Sequence, residues 1–364
     1  MMPHPEAETQ GDGVSIAIAA RHAAGVISLG GSDRANRLGT EECRPLALAY
    51  DQFARNPVIY ALVVRSRYDA AFAGGLDARE MAEAARDDPQ AAASVIGEML
   101  RVCWQQECFT KPVVSLIDGP AEGGAPGVSL YGTHRVAGAR YRFACGATGL
   151  GLVPAGGLGH RLARLANCVG VYLALTGHSI GRGDAFRHGL VTHCIDAHHF
   201  DAIETHLADA DPVDPIVDGL HMALGDASLA EHEPAIARCF SADTVEEILG
   251  RLDSEAGHGG WARQAAVDVR KKSALALKVC LELLKKARGL DLRSYLILEH
   301  GVLVQLISRP DVQRAILDER GGDIPAWEPA ALAGVTEGLR AAVFAAQAGA
   351  NLTLRARADM QSQT

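Results

Sequence analysis

No cysteines in the 364-residue sequence are spaced as CxxC, and the eight present (Cys43, Cys103, Cys108, Cys145, Cys168, Cys194, Cys239, Cys280) are scattered. That excludes a small disulfide-stapled module, and the thiols read as reduced, in a cytoplasmic protein. No apolar run reaches the ~18 residues that suggest a membrane span. Positive charge is in deficit, 35 Lys and Arg against 44 Asp and Glu, and the formal net charge of −9 argues against nucleic acid or a membrane surface as partner. The 14 histidines show no metal-ligand spacing, and no His and Asp are arranged around Ser129 or Ser179 as a hydrolase triad. Repeats of fixed period are absent too. The opening MMPHPEAETQGDG lacks the regions of a signal peptide and reads as a flexible leader over residues 1–13. What is present is apolar: 48% hydrophobic residues against 22% charged, enough for a large globular core with room for an appendage.

Organisation changes along the chain. Up to about Asp196, strand candidates (GVISLG, VIYALVVRS, PVVSLID, HRVAGA, YRFA, LVTHCID) alternate with amphipathic stretches, which predicts an α/β layer. The runs at 57–65 and 112–117 are apolar on both alternating faces, as a sheet covered by helices on both sides requires. Beyond Asp196 strand signals stop. DTVEEILGRLDSEA, with Asp243 available as a cap, and SALALKVCLELLKKARG, opened by Ser273 and closed by Gly289, predict helices. Connections carrying Pro212, Pro215 and Pro234 fill the stretch between, and the final NLTLRARADMQSQT reads as a loose tail.

Three glycine-bearing stretches could do chemistry. In AFAGGLDAREM, Gly74 and Gly75 permit a turn that lets the amide of Leu76 point into a cleft. In SLIDGPAEGGAPGVSL a strand breaks at Asp118-Gly119 and a helix start is expected near Gly123 or Gly124, leaving an amide free to donate. Two such amides converging from separate segments would stabilise a carbonyl oxygen as charge develops on it. The third, YRFACGATGLGLVPAGGLGH, frames a short apolar strand between turns. Taken singly, each is more simply a turn before a helix.

Order and spacing raise their weight. AFAGGLDAREM, KPVVSLIDGPAEGG, GLGLVP, RLARL and LALTGHSIGRGDAFRHGLVTHCID together resemble the crotonase (enoyl-CoA hydratase/isomerase) superfamily, and FSADTVEEIL, SALALKVCLELL and PAWEPAAL extend the likeness to its 3-hydroxyisobutyryl-CoA hydrolase branch, over roughly residues 14 to 332. The resemblance implies a spiral of ββα units: an acyl-CoA-binding core over 14–198, a helical C-terminal region over 199–347 and the tail over 348–364. It implies that the amides of Leu76 and Gly124 form an oxyanion pair, and that LGGSDRANRL runs along the nucleotide, with Asn36 and Leu38 at family positions. Arg34, Arg37, Lys278 and Arg270-Lys271-Lys272 are available for the CoA phosphates, although solvated helix faces explain most of them one by one. No cofactor is implied beyond coenzyme A as carrier of the substrate, the partner is a small acyl-CoA thioester, and a homo-oligomer is allowed.

Against that pattern the acids are missing. Family members carry glutamate where this chain has Ala147, hydrolase-like members carry aspartate where it has Ala155, and the glutamate of hydratases falls on Gly127. An alanine methyl cannot move a proton, and proton-transfer catalysis is worth ~10²- to 10⁴-fold. Pro126 cannot donate an amide but is tolerated in a first helical turn. Glu122, just before the second glycine run, and His160, after PAGGLG, are the candidate acid/base groups; a surface carboxylate and a packed loop histidine are their plainer readings. Cys145 reads as a small apolar residue and Asp77 as a helix-start residue. Three activities follow: hydrolase- or hydratase-like processing of an acyl-CoA, binding of an acyl-CoA or partner without turnover, and oxyanion-only decarboxylation or carbon–carbon cleavage.

Overall fold

The computed structural model describes residues 16–30, 35–68, 70–122, 129–223, 227–255, 260–318, 325–345 and 352–361. The strands in chain order are β1 (Ile16–Arg21), β2 (Ala24–Leu29), β3 (Ala61–Ser66), β4 (Val113–Ile117), β5 (Pro120–Glu122), β6 (His134–Ala137), β7 (Arg142–Ala144), β8 (Ile180–Gly181) and β9 (His193–Cys194). One sheet has the order β1-β2-β3-β4-β6-β9, parallel throughout except for the antiparallel β1–β2 hairpin. A smaller sheet, β5-β7-β8, lies against the ends of these strands. Helices connect β2 to β3, β3 to β4 and β8 to β9, and this is the mixed α/β spiral expected, continued by a helical C-terminal region.

Alternation along the central strands explains the layers. Ile27, Leu62, Val64, Val113 and Ile117 enter the large core. Their neighbours Val26, Val63, Val114 and Leu116 face a second cluster with Ile203, Leu207 and Val217. Helices Phe200–Ala208 and Val213–Leu220 therefore cover one face of the sheet, while helix Thr40–Arg55 packs on the other. Burying both faces accounts for the continuous apolar runs in β3 and β4.

The structure departs from the sequence reading in four places. β1, with the sequence IAIAAR, is a strand because it pairs residue for residue with β2; its alanines gave no strand signal. Pro212, Pro215 and Pro234 do not mark loops: Pro212 precedes helix Val213–Leu220, Pro215 lies in its first turn, and Pro234 opens helix Glu233–Phe240, where a missing N–H costs nothing. Thr244, not Asp243, caps helix Val245–Glu255, its Oγ1 accepting from the Glu247 amide at 3.2 Å, because the Asp243 carboxylate is held by Lys285 at 2.9 Å. The tail is not loose over 352–361. Leu352 and Leu354 are buried, Trp104 Nε1 donates to the Arg355 carbonyl at 2.9 Å, and a short helix, Arg357–Gln361, follows. Ser273 caps helix Ala274–Ala287 as expected.

Candidate active site

The segment 71–77 is stitched between two neighbours. Asn36, at φ 50°, donates from Nδ2 to Ser66 Oγ at 2.9 Å and to the Phe72 carbonyl at 3.0 Å, fixing the chain as it leaves β3. On one side the Phe72 amide donates to the Pro120 carbonyl at 2.9 Å and the Glu122 amide to the Ala73 carbonyl at 3.1 Å. On the other, Leu38 N–H donates to the Gly75 carbonyl at 2.8 Å and the Asp77 amide to the Leu38 carbonyl at 3.0 Å. In a parallel bridge of this kind the flanking residues supply the bonds, so the amide of the bridging residue, Leu76, points the opposite way. Gly75 makes the turn at φ +90°, and an added Cβ at Gly74 would lie 2.8 Å from the Ala35 carbonyl oxygen. Asp77 then caps helix Ala78–Asp87.

Asn36 and Leu38, expected along the nucleotide, are buried fixtures of this loop: one staples its start and the other pins the backbone around Leu76. Gly124, with Gly127 and Pro126, and Arg34 lie outside the described residues. Arg37 is exposed, its Cγ side close to Gly74.

Glu122 ends β5, in register with Ala144 at the end of β7, and is exposed. Three residues past Ala144, Ala147 opens a short 3-10 turn, Ala147–Leu150, and is partly exposed; Ala155 is buried at 8% exposure. Cys145 is wholly buried, and that burial pushes its thiol up to about 12, leaving it neutral and unreactive. The bridges Ala73–Ala121 and Glu122–Ala144 set these segments side by side, with Leu76 and Ala147 each three residues beyond a bridged position.

His160 takes a different place. Its Nε2 lies 3.1 Å from the Leu290 carbonyl and its ring tilts against Tyr295. Burial, with Arg164 nearby, holds the imidazole below its usual range, hence neutral. The structure corrects the acid/base expectation for His160 to a packing role. Lys278 is likewise occupied, paired with Glu246 at 2.7 Å, and Arg270 pairs with Asp253 at 2.6 Å. Lys272 folds inward instead: an added Cβ at Gly149 or Gly177 would sit 3.2 or 3.3 Å from its Nζ, and burial lowers its pKa.

One buried carboxylate was not anticipated. Glu299, from helix Leu292–Ile307, is fully buried, and its Oε1 accepts from the Gly156 amide at 2.7 Å while Oε2 accepts from the Gly157 amide at 3.0 Å. Burial pushes this carboxyl up to about 8, against the opposing pull of those two amides. The signal in the sequence was a lone acid in SYLILEHGVLVQLI, an otherwise apolar helix that is buried nearly all round.

Among the described residues no cluster of His, Cys, Asp or Glu is arranged to hold a metal, and no helix is long and apolar enough to cross a membrane. The profile of a family described as enoyl-CoA hydratase/isomerase matches residues 24–344. The mitochondrial 3-hydroxyisobutyryl-CoA hydrolase of Rattus norvegicus is 30% identical over 330 residues, covering 87% of this chain and 85% of its own. A 3-hydroxyisobutyryl-CoA hydrolase of Arabidopsis thaliana is 28% identical, covering 84% of each. In structure the chain is similar to a carnitinyl-CoA dehydratase from Mycobacterium thermoresistibile, with a TM-score of 0.87, 26% identity, and 93% of this chain and 98% of that one covered. An enoyl-CoA hydratase from Rhodobacter sphaeroides 2.4.1 superposes with a TM-score of 0.85 and 26% identity, covering 93% of this chain and 100% of its own. By sequence and by fold, the chain belongs to the enoyl-CoA hydratase/isomerase family.

Proposed function

We propose that the chain processes a small acyl-CoA thioester of the 3-hydroxyisobutyryl-CoA kind. The observation that carries this reading is the Leu76 amide, turned away from its bridge with Leu38 at the edge where β5 and β7 end. With the amide of Gly124 from the following glycine run, it forms the oxyanion pair for the thioester carbonyl, each donor worth ~10²- to 10³-fold in rate. Water adds to that carbonyl, the tetrahedral oxyanion collapses, and the carbon–sulfur bond breaks to release the acid and free CoA. Glu122, exposed at the end of β5, takes the proton of the attacking water and returns it to the thiolate leaving group. In this reading Arg34 and Arg37 are the basic groups available to the CoA phosphates.

The test is release of free CoA from 3-hydroxyisobutyryl-CoA by protein first shown to bind CoA. Turnover above the buffer blank that falls ~10²-fold or more in Glu122→Gln is expected. Ala147 and Ala155 favour a second reading, a relative that binds acyl-CoA without hydrolysing it. Tight binding with no CoA release is its signature. Product from a malonyl-type thioester and none from the hydroxyacyl one would instead mark oxyanion-only decarboxylation.

A further inference from the structure

Against the turn that follows Ala155 sits an acid that the proposed chemistry does not use. Gly156 and Gly157 are both left-handed, at φ 71° and 75°, so their consecutive amides turn together toward the interior. Glu299 receives both, with a third, longer contact from Gly157 to Oε1 at 3.2 Å. The turn is closed from the other side by Tyr131, whose hydroxyl donates to the Gly156 carbonyl at 3.2 Å. Among the described residues no ion pair within 4.0 Å balances Glu299. A buried carboxylate with amide donors and no cation is poised between two states: ionised, it is held by the amides but desolvated; protonated, it loses that penalty and keeps acceptor oxygens.

We propose that Glu299 is the positioning residue of the acyl-binding turn: its carboxyl, accepting from the Gly156 and Gly157 amides, fixes residues 155–157 in the shape the acyl group requires. This rests on the acyl-CoA reading above. Raised from 4.5 to about 8, the group is protonated in the folded protein at neutral pH. The folded form therefore binds one more proton than the unfolded chain between about 4.5 and 8, so the stability it contributes is complete at low pH and is lost as pH rises through that window. Above it, the desolvated anion is held by the two amides with no cation beside it, and the turn carries that cost.

Other titratable groups lie within electrostatic reach of Glu299 or of the residues that close its turn. Tyr295 lies on the same helix, Tyr131 on the segment following 129, Cys103 on helix Pro89–Cys108 and Cys280 on helix Ala274–Ala287; burial pushes all four well above their ordinary values, and they stay neutral across the window. Glu107 and Arg161 act on Tyr131 from opposite signs, His300 Nε2 contacts the Ala93 carbonyl, and His160 is held neutral.

The experiment uses the full chain, Glu299→Gln and Glu299→Ala, with isobutyryl-CoA as the binding probe between pH 6 and 9.5 and amide exchange of a peptide spanning 150–160 as a ligand-free readout. In the wild type, the dissociation constant is expected to rise about tenfold per pH unit above pH 8, with protection of the peptide falling over the same range relative to the glutamine variant. Glu299→Gln, a neutral isostere, is expected to bind within a few-fold of wild type at pH 7 and to lack the alkaline limb, while Glu299→Ala binds weakly at every pH. Identical pH profiles for wild type and Glu299→Gln, in protein that binds the probe, would overturn the inference and leave the acyl-CoA reading intact. Should wild type fail to bind isobutyryl-CoA or CoA at any pH, the acyl-CoA reading falls, and with it a role for Glu299 at an acyl site, whatever the exchange data show.

Discussion

Two glycine turns flank the proposed site, and they use backbone amides in opposite ways. At Gly74-Gly75 the chain is pinned by its neighbours' hydrogen bonds, so that the Leu76 amide is left facing outward. At Gly156-Gly157 the amides face inward and are consumed by Glu299. The first turn is held by main-chain partners that cannot titrate, and the second by a side chain that can. An amide kept available for a substrate needs a scaffold indifferent to pH; an amide used only to shape a wall does not. The comparison also assigns different sensitivities to the same kind of change, a methyl group added at a left-handed glycine.

Gly157→Ala is expected to do the most damage. Its Cβ would lie 1.8 Å from the Tyr131 hydroxyl and 3.0 Å from Leu292, at a backbone φ of +75°. A loss of about 3 kcal/mol or more in chemical denaturation is expected, from overlap plus backbone strain. A loss under about 1 kcal/mol would mean that the second turn is as pliant as the first. Gly75→Ala, at φ +90°, meets backbone strain, so about 1–2 kcal/mol is expected in stability. Its larger effect is on CoA release or acyl-CoA affinity, because the Leu76 amide moves with the turn; unchanged activity in a folded variant would remove Leu76 from the oxyanion pair. Lys278→Met is expected to change least. Its ion pair with Glu246 lies at the surface of helix Ala274–Ala287 and contributes less than about 1 kcal/mol, with CoA affinity unaltered. A tenfold loss of CoA affinity would return Lys278 to the phosphate site and break the separation between helical region and site.

The α/β layer, its two-faced sheet and the glycine turn before Asp77 were legible because they rest on local signals, continuous apolar runs in β3 and β4 and glycines placed just before the capping Asp77, whereas the spiral followed from the family resemblance. β1 was not, since Ile-Ala alternation becomes a strand only against β2. His160 illustrates the same limit at the site. Its position after a glycine turn suggested chemistry, while the groups that occupy it, Leu290 and Tyr295, lie about 130 residues away in sequence. Glu299 was hidden for the converse reason. Its partners are backbone amides, which no side-chain motif announces.

The docked end of the chain has a consequence for synthesis. Trp104 Nε1 and the Arg355 carbonyl are separated by 251 residues, and Arg293 reaches Leu354 across 61. A ribosome delivers Leu352, Leu354 and Arg355 long after helix Pro89–Cys108 has left the exit tunnel, so the indole of Trp104 waits uncovered on the nascent protein until the last stretch arrives. Stalling or premature termination between 318 and 352 would therefore release a chain with most of its spiral in place and an aromatic scar on its surface, the kind of exposed apolar patch that chaperones and proteases select.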